Sequence, residues 1–291
     1  MKGLNIIVLA KQVPDTRNVG KDAMKANGTV NRSALPAIFN PEDLLALEQA
    51  LRLKDQYPGS TVTVTTMGPI RAANILRDSI FRGADKGILI TDKKFAGSDT
   101  LATSYVLSLA LKKLAPFDII LCGRQAIDGD TAQVGPQVAE KLKIPQITYV
   151  EDILEVKNKQ IIAKRRLTNG VETLQGNLPI LLTVHGSAPT CRTQNARRLM
   201  KYKHACTPSE MNNEQEDYIK MHDQKHYLDL VEWNVDDLQA EETYLGLNGS
   251  PTKVNAVTNI VFTAKESTVL EPTDQAIDEL MAELVEHHNV G

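Results

Sequence analysis

Blocks of apolar and polar residues alternate through the first two thirds of the chain. Four short apolar or β-branched runs predict buried strands, namely residues 4–10, 61–65, 87–90 and 118–121. Between them, segments with apolar residues at helical spacing predict helices over residues 41–56, 71–81 and about 99–114. The alternation predicts an α/β fold, a mostly parallel twisted sheet with helices on both faces.

The pattern changes after about residue 145. Three runs with β character predict antiparallel strands over residues 150–157, 160–166 and 171–174, with a tight turn at Asn158-Lys159, and a buried strand follows over 179–185. Residues 212–224 have little apolar content and are interpreted as an exposed arm, whereas 274–287 reads as an amphipathic helix. We therefore predict an α/β domain over residues 1–205 and a C-terminal arm with a terminal helix over 206–291 that packs on a partner subunit.

The candidate ligand-binding segments are those that follow the predicted strands, because ligands of parallel sheets bind at the carboxyl ends of the strands. The segments at this edge are residues 10–16, 66–69 and 123–131. The last of these begins a polar loop that leads into a helix. Its backbone N–H groups at 132–135 can hold an anion.

The side chains of this loop refine that prediction. Gly123 and Gly129 allow a ligand to approach the backbone, and Arg124 is a permanent cation. Asp128 and Asp130 are interpreted as caps for loop N–H groups or as acceptors for ribose hydroxyls. The loop has neither the Gly-Lys-Ser/Thr of a P-loop nor a Gly-x-Gly-x-x-Gly. An ordinary loop between strand and helix with aspartate caps is the alternative interpretation.

Composition narrows the class of protein. The 291 residues carry a net charge of −3 and only 4% aromatic residues, which argues against a nucleic-acid partner. No apolar run approaches the roughly 20 residues of a membrane span. Three cysteines, with no Cys-x-x-Cys pair, argue against a disulfide framework. We expect a cytoplasmic protein without a signal peptide.

Several motifs resemble those of the electron transfer flavoprotein beta subunit. The longest is Gly-Arg-Gln-Ala-Ile-Asp-Gly-Asp-Thr-Ala-Gln-Val-Gly-Pro at residues 123–136. Lys-Gln-Val-Pro-Asp-Thr at 11–16, Phe-Asn-Pro-Glu-Asp at 39–43 and Met-Gly-Pro at 67–69 agree in order and spacing. The resemblance covers about residues 1–205.

The resemblance implies a heterodimer with a larger alpha subunit that holds one FAD. In this chain it implies contacts to the AMP moiety of a nucleotide from Ala10, Asn40, Gly68, Gly123, Gln125, Ala126, Thr131, Gln133, Val134 and Gly135. Val13, Asp15 and Arg124 are expected toward the flavin ring or its pyrophosphate.

The sequence of this loop, with Arg124 and Gly129, resembles that of the electron-bifurcating branch of the family, in which the beta subunit binds a second FAD. That branch implies hydride acceptance from diffusible NADH and division of the electrons between ferredoxin and the alpha-subunit FAD, or the reverse reaction with NAD. Two alternatives stay open: a conventional electron carrier that binds AMP here, and a nucleotide-binding regulatory module without a redox role.

One segment departs from the family pattern. Where conventional members place an apolar anchor for acyl-CoA dehydrogenases, this chain has Gln194. Our hypothesis is that the protein serves a different flavin-containing dehydrogenase, such as a lactate dehydrogenase.

Other residue clusters suggest no further site. His222 and His226 are four residues apart, a spacing compatible with metal binding, but polar surroundings favour a solvated surface and we predict no metal site. Cys122 is interpreted as a packed thiol. The basic runs at 164–166 and 197–203 are interpreted as solvated faces or subunit contacts.

Overall fold

The computed structural model describes residues 3–15, 36–211, 225–252 and 269–286. The chain divides into two compact units, Met1–Asn255 and Ala256–Gly291. The first unit contains the sheet and its helices. The described part of the second unit contains one helix.

The elements follow one another in the alternating order that the sequence predicts. The strands are β1 (Asn5–Leu9), β2 (Gln12–Pro14), β3 (Ala37–Phe39), β4 (Thr61–Met67), β5 (Lys86–Ile90), β6 (Ile119–Gly123), β7 (Gln146–Lys157), β8 (Gln160–Leu167), β9 (Gly170–Asn177), β10 (Ile180–Val184) and β11 (Val231–Trp233). The helices are α1 (Pro41–Gln56), α2 (Ala73–Arg82), α3 (Thr100–Leu114), α4 (Val134–Leu142), α5 (Ala196–Tyr202), α6 (Pro208–Met211), α7 (Val235–Leu238) and α8 (Asp274–Glu286).

Within the described residues, nine strands form one sheet in the order β11-β5-β4-β1-β6-β10-β7-β8-β9. The strands from β11 to β7 pair in parallel, and β8 and β9 continue the sheet in antiparallel pairing. β2 and β3 form a separate antiparallel pair. The predicted α/β class, with a mostly parallel sheet and added antiparallel strands, is confirmed.

Both faces of the parallel sheet are buried, which explains why its strands are apolar throughout. Along β1, Ile6 and Val8 point into one core, which includes residues of α1 and α2. Ile7 and Leu9 point into the opposite core, which includes residues of α3 and α4. The sheet is therefore a rigid platform on which the loops at its carboxyl edge are held.

The antiparallel strands match the prediction except at their ends. Asn158 and Lys159 both have positive φ, 53° and 60°, as expected for the turn between β7 and β8. β9 is longer than the predicted strand 171–174, since its polar outer residues continue to pair with β8 as far as Asn177.

The first unit extends beyond the predicted domain boundary at residue 205. β11 pairs with β5, and Leu228 and Leu230 are buried in the core of the sheet. A three-residue strand gives too short a pattern for the sequence to reveal it. Residues 212–224, predicted as an exposed arm, lie outside the described residues.

The second unit contains α8, which confirms the predicted terminal helix to within one residue. Ile277, Leu280, Met281 and Leu284 recur along it at helical spacing. Among the described residues, the structure has no helix with the length and apolar character needed to cross a membrane.

Candidate functional site

A cavity of about 930 Å³ lies at the carboxyl ends of β1, β4, β5 and β6. Its walls are three segments that follow strands: residues 67–71 after β4, 91–100 after β5, and 123–135 around the loop after β6. This is the edge at which a parallel sheet binds its ligands. Its volume is near the upper end of the roughly 300–1,000 Å³ typical of small-molecule sites.

The floor of the cavity is largely apolar. Leu9, Phe95 and Leu107 line it and belong to the core between the sheet and α3. Thr65 also lines the cavity, and its buried Oγ1 forms no hydrogen bond within the described residues. Buried hydroxyls almost always have a hydrogen-bond partner. Thr65 Oγ1 therefore leaves one hydrogen-bonding position unfilled in a cavity floor that is otherwise apolar.

The N-terminus of α4 lines the same cavity. Gln133 precedes the helix without capping it, and its Oε1 instead accepts a hydrogen bond from Thr100 Oγ1 (3.0 Å). The first-turn N–H groups therefore have no side-chain cap, and with the helix dipole they favour an anion. Gly135 lets this end of the helix pack directly on the sheet, since a Cβ there would lie 2.8 Å from Thr183 Cγ2 and 2.9 Å from Cys122 Sγ.

Residues at the start of α1 hold the loop after β6 in place. Asn40 Nδ2 donates to the carbonyl of Gln125 (2.9 Å), and the Ile127 amide donates to Asn40 Oδ1 (3.2 Å). Glu42 Oε2 accepts a hydrogen bond from the Gln125 amide (2.9 Å). Asn40 precedes α1 as predicted, but its side chain bonds the loop rather than capping the helix.

Asp43 connects two strand ends. Its Oδ1 accepts a hydrogen bond from the Gly123 amide and its Oδ2 accepts one from the Lys11 amide, both at 2.8 Å. Burial raises the pKa of the Asp43 carboxyl from its ordinary 3.8 to about 7, although the two amide hydrogen bonds oppose this shift. Gly123 has no room for a side chain, because a Cβ there would lie 2.6 Å from Asp43 Oδ1.

The two loop aspartates bond side chains, not loop amides. Asp128 forms an ion pair with Lys11 Nζ (2.7 Å), and Asp130 accepts a hydrogen bond from Gln125 Nε2 (2.5 Å). The expectation that they cap loop N–H groups is therefore wrong. Asp128 instead joins the loop to the end of β1, and Asp130, at φ 55°, takes the left-handed conformation that aspartate tolerates.

Arg124 lines the cavity and is held from two sides. Its Nη2 is 3.3 Å from Glu42 Oε1, and its guanidinium carbon lies 5.6 Å from the centroid of the Tyr149 ring. The backbone amide of Arg124 donates to the carbonyl of Val184 (2.8 Å). The cation is thus fixed at the entry to the loop.

Most of the predicted site residues are brought together. Those that line the cavity are Ala10, Gly68, Gly123, Arg124, Gln125, Ala126, Thr131, Gln133, Val134 and Gly135. Three do not line it: Asn40 is fully buried beneath the loop, Val13 is buried in the β2–β3 pair, and Asp15 follows β2. For these three, the geometry of the described residues does not support direct ligand contact.

The wall after β5, residues 91–100, is absent from the sequence prediction. The signal for it was present, because the sequence predicted strand 87–90 and a helix beginning at Ser98-Asp99. Applying the strand-end rule to that strand as well would have found this wall.

The other predicted features have structural partners. The thiol of Cys122 is buried, and burial raises its pKa, as expected for a packed and unreactive cysteine. Arg166 and Lys164 pair with Glu151, and Arg198 donates to the carbonyls of Ile80 and Ala84. His222 lies outside the described residues.

Fold and site together define a parallel α/β protein with a strand-end ligand cavity and an uncapped helix N-terminus in its wall, an arrangement typical of nucleotide-binding proteins. The family model of the electron transfer flavoprotein domain matches residues 27–205. The chain is 39% identical over 287 residues to an electron transfer flavoprotein subunit beta of Clostridium acetobutylicum, covering 99% of this chain and 100% of the relative.

Two further relatives have similar coverage. The chain is 40% identical over 251 residues to the caffeyl-CoA reductase-Etf complex subunit CarD of Acetobacterium woodii, covering 86% of each chain. It is 35% identical over 289 residues to the protein FixA of Sinorhizobium fredii, covering 97% of this chain and 92% of that one. The chain therefore belongs to the electron transfer flavoprotein family, and the motif resemblance to its beta subunits is confirmed.

The raised pKa of Asp43 predicts a pH-dependent stability. The native state binds the proton of the Asp43 carboxyl more tightly than the unfolded chain does. Protonation of Asp43 therefore stabilises the fold at low pH. That stabilisation is lost as pH rises from about 4 to 7. Asp43→Asn removes the titration, so its destabilisation relative to the native sequence should be larger at pH 5 than at pH 8 by about 2 kcal/mol.

Urea denaturation at the two pH values measures this difference. Asp152→Asn is the control, since Asp152 makes a surface ion pair with Arg52. An equal cost of Asp43→Asn at both pH values contradicts the prediction.

Proposed function

We propose that this chain is the beta subunit of a heterodimeric electron transfer flavoprotein that binds FAD in the strand-end cavity. In this function it accepts hydride from NADH, or reduces NAD in reverse. The electrons of the FAD in this chain pass to ferredoxin and to the FAD of the alpha subunit, which serves a flavin dehydrogenase. The observation that carries the proposal is the cavity of about 930 Å³ that runs from the N-terminus of α4 to the walls after β4 and β5.

The residues present fit such a cofactor. The uncapped first turn of α4, with Gly135 closely packed on the sheet, suits a phosphate group. Arg124, held in place by Glu42, offers guanidinium N–H donors beside the loop. The apolar floor suits a ring system, and the unpartnered hydroxyl of Thr65 offers that ring one hydrogen bond.

When bound, FAD supplies the redox chemistry, since it exchanges a hydride with a nicotinamide and single electrons with other carriers. The chain's own residues bind and orient. Asp43 and Asn40 fix the loop, Glu42 fixes Arg124, and the core residues keep water from the floor. Such a function needs no acid–base pair of side chains in the cavity.

The conventional carrier with AMP is the main alternative. AMP has no isoalloxazine ring to occupy the cavity beyond the α4 end. The walls after β4 and β5 lie away from the α4 end, with β1 between β4 and β6 in the sheet. This extent favours the larger cofactor. A regulatory module would bind a nucleotide without any flavin.

Counting the cofactors distinguishes these functions. The chain co-expressed with its alpha subunit should release two FAD and no AMP per heterodimer, measured by chromatography of the denatured complex. One FAD with one AMP supports the conventional carrier and contradicts the proposal. A monomer that retains a nucleotide but no flavin supports the regulatory module.

Two glycines of the cavity wall give a matched test of where the cofactor binds. Gly135→Ala places a Cβ within 3 Å of Thr183 and Cys122 and so displaces the start of α4, whereas a Cβ at Gly129 meets nothing within 4 Å. Gly135→Ala should lower the affinity for FAD by about tenfold, from roughly 1–3 kcal/mol of overpacking. Gly129→Ala should retain native FAD affinity. Equal affinity in both variants, measured by flavin fluorescence on reconstitution, contradicts the assignment.

The dehydrogenase partner is part of the proposal. Gln194 Nε2 donates to Asp78 Oδ1 (2.5 Å), so this side chain is tied back to α2 and does not project as an apolar anchor. That contact supports a partner other than an acyl-CoA dehydrogenase, such as a flavin-containing lactate dehydrogenase. The name of the relative CarD points instead to a CoA-thioester reductase.

Electron transfer from the reduced heterodimer to each purified dehydrogenase tests the partner class. We expect reduction of a flavin-containing lactate dehydrogenase and at least tenfold slower reduction of an acyl-CoA dehydrogenase, about 1.4 kcal/mol in barrier. Reduction of the acyl-CoA dehydrogenase alone rejects the hypothesis.

A further inference from the structure

Residues 242–252, here called the strap, pack on the cavity wall that residues 91–100 form after β5. Near the start of the strap, Glu242 forms an ion pair with Lys94 (2.5 Å). Gly246 approaches the wall so closely that a Cβ there would lie 2.5 Å from the carbonyl oxygen of Lys94. Its φ of 53° also favours glycine. The strap and the wall therefore leave no room for a side chain at this position.

The end of the strap holds the wall through hydrogen bonds. The Asp99 amide donates to Ser250 Oγ (2.8 Å), and Ser250 Oγ donates in turn to the carbonyl of Gly246 (2.5 Å). The amide of Thr252 donates to Asp99 Oδ2 (3.1 Å). Ser250 is buried, and burial of a hydroxyl costs free energy unless the hydroxyl is hydrogen-bonded. These bonds therefore favour a single position of Asp99 relative to the strap.

Asp99 connects the strap to the N-terminus of α4. Its Oδ1 accepts hydrogen bonds from the amides of Leu101 and Ala102 (2.9 and 3.0 Å) and so caps α3. Thr100, the first residue of α3, donates from its Oγ1 to Gln133 Oε1 (3.0 Å). Gln133 precedes α4 and does not cap it, so the first-turn N–H groups of α4 stay open to a ligand.

We infer that the strap is part of the cofactor site, with Ser250 and Thr100 as positioning residues. Ser250 does not line the cavity, so it acts through the wall by holding the start of α3 in place. Thr100 keeps the side chain of Gln133 away from the first turn of α4. The inference rests on the proposed function, in which a phosphate of FAD binds at that turn.

The affinity of the heterodimer for FAD, measured by flavin fluorescence on reconstitution, tests the inference. Ser250→Ala should lower this affinity by about tenfold, because the amide of Asp99 loses its acceptor and the wall shifts. Thr100→Val should lower the FAD affinity to a similar extent, because it releases Gln133. Thr100→Ser keeps the hydroxyl and should retain native affinity. Native affinity in Ser250→Ala overturns the inference.

A double-mutant cycle distinguishes one chain of contacts from two separate effects. If Ser250 acts through Thr100, the variant with both Ser250→Ala and Thr100→Val should lose no more FAD affinity than either single variant. A loss of about a hundredfold, the product of two independent tenfold effects, contradicts the inference.

Ser108→Ala is the matched control. Ser108 is a buried serine of α3 that does not line the cavity, and its Oγ donates to the carbonyl of Tyr105 in the same helix (2.7 Å). The substitution removes the same hydroxyl group and should leave the FAD affinity at the native value. An equal loss of affinity in Ser108→Ala and Ser250→Ala reflects a general effect on the fold and rejects the role of the strap.

Hydrogen exchange in the native heterodimer tests the same coupling without any substitution. Binding of FAD at α4 should slow the exchange of the amides of Asp99 and Thr252, because coupling between two sites is reciprocal. Slower exchange that is confined to the first turn of α4 contradicts the inference.

The cofactor count of the native heterodimer separates this inference from the proposed function. Two FAD, with FAD affinity unchanged by Ser250→Ala, rejects only the role of the strap. One FAD with one AMP rejects the proposed function. The same variants then decide the role of the strap by their affinity for AMP, whose phosphate needs the same turn of α4.

Discussion

The carboxylate of Asp43 is the contact on which the cavity depends. Two strands that are neighbours in the sheet end beneath it, and it accepts an amide hydrogen bond from the residue at each end, Lys11 and Gly123. Bringing a carboxylate into a buried position costs free energy, as its raised pKa reflects, and the two amide bonds offset part of that cost. The same bonds leave no space for a side chain at Gly123. The start of α1 and the edge of the sheet are thereby held in one geometry.

Three polar residues of the Phe-Asn-Pro-Glu-Asp motif hold the loop after β6 against the start of α1. Asn40, Glu42 and Asp43 all bond the loop after β6, each with a different backbone group. The loop then presents its own outward residues and the first turn of α4 to the cavity. A protein that moves electrons through a bound cofactor benefits from such a rigid frame, because the frame fixes the position of the cofactor before any partner arrives.

Elements whose sequence pattern lies within one short segment were predictable, whereas elements that depend on contacts between distant segments were not. Helix α1, with Pro41 at its start, and the apolar strands β1 and β6 were evident because each pattern lies within one segment. The turn at Asn158-Lys159 was equally local. β11 was missed because three residues carry no periodicity, and its place beside β5 follows from Leu228 and Leu230 reaching the core. In the site, the family resemblance predicted ten residues that line the cavity, but Asn40, from the Phe-Asn-Pro-Glu-Asp motif, lies beneath the loop.

The sequence by itself determined the class of fold, the loop after β6 and the family, since each is written in contiguous residues whose spacing has a direct physical meaning. Only the tertiary structure decided which charged side chains form ion pairs within the protein and which do not. Asp128 and Arg124 carry the same formal charges in the sequence as Asp130 and Arg71, yet only pairing across distant segments shows that Lys11 and Glu42 neutralise the first two. Long-range pairing depends on which strand ends become neighbours, and that order, β5-β4-β1-β6, is a property of the folded sheet.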